Sequence, residues 1–248
     1  MKLLVSAALL ALAAPFAAHA QTVPAYITAA LADPARPADQ KARDGDRHSG
    51  EILAFAGIKP GDKVADFLMG GGFWTRILSP LVGPTGHVYA YQAAEFIQYL
   101  PDYGPQQDAA VKGYANVTPL RMGLASVEFG EPLDAIVTVQ NYHDLHLSFA
   151  PPGAAAFIAA RLFAALKPGG VLLVVDHVAD TDPGFLVPDK LHRIDPAAAR
   201  KELEGVGFVF AGELGVLRNP ADPHGVRVFE SPAKGKTDQF VYLFRKPK

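Results

Sequence analysis

The chain contains no cysteine. That absence excludes disulfides and a cysteine-linked lipid anchor, so the core alone must hold the fold. Charge of neither sign dominates: 23 basic and 25 acidic residues leave a formal net charge of -2. There is no basic arm or stripe, and nothing calls for a nucleic acid or an anionic membrane as partner. Internal repeats are absent too. Charged residues make up only 19% of the 248 positions, against 50% hydrophobic ones. This balance suits one globular domain with a sizeable core.

The one long apolar run is at the start. Lys2 is followed by apolar residues 3–18, interrupted only by Ser6 and Pro15, and Ala18-His19-Ala20 supplies a small-x-small cleavage pattern. Residues 1–20 read as a secretory signal removed before Gln21, because the run is short for a spanning helix and Pro15 breaks it. The expected address is therefore periplasmic or secreted, with no stable membrane insertion after cleavage. Residues 21–50 read as a polar lead-in or lid, charge-dense at DQKARDGDRHS (39–49), and residues 51–248 as the domain proper.

KVADFLMGGGFWTR (63–76) is the most informative segment. Residues 63–69 read as a buried parallel strand. Gly70, Gly71 and Gly72 then turn the chain and clear side chains from the turn. A ligand can approach the backbone N–H groups at the start of the next helix. Asp66 lies near the carboxyl end of this strand, where open α/β sheets bind ligands. Its carboxylate could order the glycine turn or meet a cationic or hydroxyl-bearing ligand. Phe73 and Trp74 fit the apolar face of the following helix and read as core.

Beyond this point strands and helices alternate. Further strands are expected at 87–91, 117–122, 133–139 and 171–175, the last a continuous apolar run. Helices are expected at 95–100, 106–114 and 154–166, with LKPGG ending the last. Asp195-Pro196 reads as an N-cap with proline at the first helical position. A sixth strand starts at 207–210, a seventh spans 239–244, and a polar loop (218–238) joins them without a helix. The pattern predicts an α/β fold: a Rossmann-like, seven-stranded, mostly parallel sheet with helices on both faces and a reversed terminal strand.

This order, with GEILAFAGIKPGDKVADF, GGGFWTR, NYHDLH and GKTDQFVYLFRKP, resembles the class I S-adenosylmethionine-dependent methyltransferases, in particular a bacterial branch of predicted methyltransferases carrying signal peptides. The resemblance covers roughly residues 40–248. It implies that the chain binds S-adenosylmethionine and transfers its methyl group to an acceptor, with a small molecule as the default. It implies a cofactor site of Asp66, Gly70, Gly71, Gly72, Gln92 and Asn141. Leu68 stands where the family has its first glycine, and Gln92 where it has the acid that holds the ribose. The NYHDLH segment would face the methyl group, with His143 accepting a proton and Asp144 orienting it or capping the following turn. His177 and His192 would lie on the substrate side.

Two other functions fit parts of the sequence. One is an exported, non-catalytic binding module with a degenerate methyltransferase fold, which Leu68 and Gln92 favour. The other is a nicotinamide-dependent oxidoreductase, against which G-x-G-x-x-G fails at Thr75. His143, Asp144, His146, Asp176, His177 and His192 are side chains that suit zinc or iron. Spacing alone does not make a site of them, and the sequence reading assigns no metal.

Overall fold

The computed structural model describes residues 22–150 and 153–248. The signal-peptide expectation for residues 1–20 lies outside the described residues. Seven strands form one sheet: β1 (Lys63–Phe67), β2 (His87–Ala93), β3 (Val117–Met122), β4 (Leu133–Val139), β5 (Leu166–His177), β6 (Val209–Glu213) and β7 (Gln239–Arg245). The helices are α1 (Ala25–Leu31), α2 (Ala38–Lys41), α3 (Ser49–Ala56), α4 (Thr75–Val82), α5 (Ala94–Tyr99), α6 (Tyr103–Val111), α7 (Ala154–Ala165), α8 (Pro188–Leu191) and α9 (Pro196–Gly205).

The strand order is β3-β2-β1-β4-β5-β7-β6. β1 to β5 pair in parallel, and β7 runs antiparallel to both β5 and β6. The seven-stranded, mostly parallel α/β sheet therefore has its expected reversed strand. That strand is last in the chain but lies inside the sheet, inserted between β5 and β6.

Alternation along the strands feeds two core layers, as a period of two requires. Val171, Leu173 and Val175 of β5 join Ile52, Leu53, Ile77 and Leu78 of α3 and α4 on one face. Leu172 and Val174 join Ile158, Leu162 and Leu203 of α7 and α9 on the other. Phe73 and Trp74 are buried in the first of these layers.

Three boundaries differ from the sequence reading. Residues 22–50 fold onto the domain: Ile27 and Ala30 of α1 are buried against the α3–α4 side, and α3 starts at Ser49. β2 runs on through Gln92. β5 absorbs the KPGG expected to be a turn, because Gly169 N donates to Lys246 O and Lys246 N to Gly170 O, both at 2.9 Å. The N-cap at Asp195 forms as read, its carboxylate accepting from Ala197 N at 2.8 Å. Among the described residues, no helix is long and apolar enough to cross a membrane.

Candidate active site

The carboxyl ends of β1, β2, β4 and β5 meet on one edge of the sheet. The residues that directly follow β1 and β4 are strained. Leu68, the first after β1, has φ 59°, and Gln140, the first after β4, has φ 61°. A left-handed non-glycine residue costs roughly 1–2 kcal/mol, and such strain gathers at ligand sites. Leu68 thus takes a backbone conformation that glycine adopts without strain. Its carbonyl accepts from Asn141 Nδ2 at 2.7 Å, and the same amide nitrogen donates to Val139 O at 2.8 Å. Asn141 bolts the β1 turn to the β4 loop.

The glycine turn is held from below. Gln92 Oε1 accepts from Gly70 N at 3.0 Å and Gln92 is 2% exposed. Its oxygen thus holds the glycine turn in place. Asp66 is buried and accepts from Thr75 Oγ1 at 2.6 Å, tying β1 to the start of α4. Burial raises its pKa to about 6, against a lowering by Thr75.

The three glycines differ in role. A Cβ on Gly72, at φ +77°, would stand 2.3 Å from Ala110 Cβ of α6. Gly72 is thus required for packing, and Gly72→Ala should destabilise the fold by about 2 kcal/mol, read by chemical denaturation. An unchanged denaturation midpoint would show that α6 yields freely. A Cβ on Gly71 would meet only Gln106 Oε1 at 3.5 Å. Packing therefore does not account for the glycine at 71.

Beside the turn, a cavity of 550 Å³ is lined by Asn141, His143, Asp144, His177 and His192, with Phe96, Tyr99 and Phe149 on its wall. Asp66 and Gln92 lie beneath the turn rather than in this wall. A second, largely apolar cavity of 380 Å³ is lined by Glu95, Leu124, Phe149, Phe157 and Ile158. Both carboxylate oxygens of Glu95 accept from Leu124 N at 3.1 Å.

His143 is clamped. Its Nδ1 lies 2.8 Å from Asp176 Oδ1, its backbone N donates to Asp176 Oδ2 at 2.8 Å, and its Nε2 lies 3.1 Å from Asp144 Oδ1. Burial opposes the charged ring, but the Asp176 and Asp144 carboxylates outweigh it and push its pKa up to about 10. With Nδ1 on Asp176 and Nε2 beside Asp144, the two carboxylates favour the charged ring and hold it in place. Asp144 Oδ1 faces His143 Nε2; burial raises the Asp144 pKa, but the His143 ring outweighs it and holds it down to about 2. His177 has Nδ1 2.7 Å from Thr237 Oγ1, and burial lowers its pKa to about 4. A base works best with a pKa near the working pH, and neither ring meets that.

Asp176, Arg47 and Arg43 were given no place in the predicted site. Asp176, 0% exposed, is the residue that fixes His143. Arg47 lies with its guanidinium 4.4 Å from the Phe73 ring centroid and Arg43 at 6.0 Å. Both line a 380 Å³ cavity with Gln140, His177 and Lys234. Burial, with Arg43 adding to it, lowers the Arg47 pKa to about 10. The charge density of residues 39–49 was the available signal, and the lead-in supplies cations to the site.

No family model matches the chain. A protein-L-isoaspartate O-methyltransferase of Ignicoccus hospitalis is 28% identical over 162 residues, 64% of this chain and 66% of that protein, just under two thirds of its length. A SAM-dependent methyltransferase from Aquifex aeolicus superposes with a TM-score of 0.54 at 20% identity, covering 88% of this chain and 97% of the other. The [4+2]-cyclase SpnF gives a TM-score of 0.59 at 16% identity, covering 82% and 80%. The chain has the Rossmann-like fold of S-adenosylmethionine-dependent methyltransferases.

Proposed function

We propose that the protein binds S-adenosylmethionine across the glycine turn and transfers its methyl group to a small-molecule acceptor in the 550 Å³ cavity. The observation that carries this reading is Asn141. It joins the strained β1 turn to the β4 loop and lines the cavity beside His143 and Asp144. A cofactor lying over residues 70–72 then has its reactive end at the acceptor cavity. Its adenosine end would reach the apolar cavity beside Glu95 and Leu124, and its carboxylate would meet Arg47 and Arg43.

Catalysis on this reading is mainly positioning, since methyl transfer from a sulfonium needs a nucleophile held in line more than a base. The clamped His143–Asp144–Asp176 group forms a rigid polar wall, and His177 and His192 complete the acceptor side. The acceptor class follows from the concave, aromatic-walled cavity and the lack of a basic platform. An exported location, read from residues 1–20, is part of the proposal, and N-terminal sequencing of the exported protein should begin at Gln21.

Incubation with methyl-labelled S-adenosylmethionine and a small-molecule extract of the cell envelope tests the activity. Label should move into a low-molecular-weight product. Label found only in protein or nucleic acid would contradict the acceptor class. Cofactor binding with no transfer to any acceptor would favour the exported binding module, a reading that the commitment of Gln92 to Gly70 supports.

A further inference from the structure

Three side chains from two separate segments converge at the floor of the large cavity. His143 and Asp144 follow β4, and His192 follows α8, held in a left-handed conformation at φ 52°. One donor atom from each meets the other two: His143 Nε2 to Asp144 Oδ1 at 3.1 Å, His143 Nε2 to His192 Nδ1 at 3.4 Å, and His192 Nδ1 to Asp144 Oδ1 at 3.8 Å. Tetrahedral zinc, with bonds of about 2.0–2.1 Å, sets its ligand atoms about 3.3–3.4 Å apart. The triangle brackets that spacing.

We propose that His143, Asp144 and His192 bind one divalent transition-metal ion of the zinc class, with its fourth position open to the 550 Å³ cavity. Three protein ligands with one position left open is the arrangement of catalytic rather than structural zinc sites. Two imidazoles and one carboxylate suit zinc, iron or cobalt, and do not suit magnesium or calcium, which take oxygen ligands.

The surroundings fit a ligand set. A metal-bound histidine holds its second ring nitrogen on a carboxylate or carbonyl, and Asp176 is placed for this on His143 Nδ1 at 2.8 Å. On binding, His143 releases its Nε2 proton to solvent and keeps the Nδ1 proton on Asp176. The remaining histidines of this edge are engaged elsewhere: His177 Nδ1 faces Thr237, and His146 stacks on Phe185 with centroids 3.8 Å apart. One contact opposes ligation. Arg227 Nη2 lies 3.4 Å from His192 Nε2, the nitrogen that must carry the proton when Nδ1 binds metal. Arg227 is exposed and can swing away. Its removal should therefore strengthen binding.

Ion binding does not depend on the methyltransferase reading. The test is titration of the chelator-stripped full chain with zinc by calorimetry, and with cobalt(II) by visible absorption. The expected result is one ion per chain and the absorption of tetrahedral cobalt. His192→Ala and Asp144→Asn should each weaken binding by more than the about 10–100-fold that loss of an outer partner such as Asp176 brings. His146→Ala should leave affinity unchanged and Arg227→Ala should raise it. Circular dichroism of each variant checks the fold, and His192→Ala, which leaves the buried His143–Asp176 pair in place, serves as the decisive variant. No binding below millimolar zinc, or equal affinity in a folded His192→Ala protein, would overturn the proposal.

Discussion

His143→Ala should lower the unfolding free energy by about 3–5 kcal/mol in the chelator-treated protein, the usual loss when one partner of a buried ion pair is removed. Asp176 is 0% exposed and His143 3%. Alanine would leave the Asp176 carboxylate with two backbone N–H groups, from residues 143 and 177, and no countercharge. It would also open a void where a well-packed ring had been. For a domain of this size the loss corresponds to a fall in melting temperature of about 10 °C. Adding Asp176→Asn to His143→Ala should recover part of it, since an amide needs no cation. A single variant within about 1 kcal/mol of the parent would show that the clamp is not the pair described.

The second large effect has the opposite sign. Asp66→Asn should stabilise the fold at pH 8 by up to about 3 kcal/mol and change little at pH 4. Asp66 is buried beside Thr75. Burial raises its folded pKa from 3.8 to about 6, so the fold prefers the neutral acid. That preference acts in full below about pH 3.8 and is lost as the pH rises through about 6. Above it, the fold carries a buried anion that asparagine would replace while still accepting from Thr75. Urea denaturation of parent and variant at the two pH values measures the difference. A variant less stable than the parent at pH 8 would contradict it. A stabilised variant that binds S-adenosylmethionine more weakly would show that the charge is kept for the ligand.

The sheet was legible because its signals are local. A continuous apolar run marks β5, a glycine cluster marks the end of β1, and a proline-rich loop replaces the last crossover. The position of β7 between β5 and β6 is not local, since it depends on which free edge the returning chain meets. Similarly, NYHDLH pointed to an active edge, but its meaning changed once Asp176 was seen to hold His143. Residues 143 and 176 are far apart in the chain and meet only because β4 and β5 are neighbours. His192 joins them through a loop whose path no periodicity encodes. The charge density of residues 39–49 left lead-in and lid both open, and it is Phe73 that draws Arg47 and Arg43 over the sheet edge. Gly71 and Gly72 look alike in sequence, and only the position of Ala110 separates them.

Calorimetric titration with S-adenosylmethionine, of the parent protein and of Gly71→Val, tests the central claim most directly. Residue 71 has room for a side chain as far as the fold is concerned. The parent should bind one cofactor per chain, and folded Gly71→Val should bind none, because the added side chain occupies the ligand's place against the turn. Equal affinity in the two proteins, or no binding by the parent at millimolar cofactor, would contradict the account.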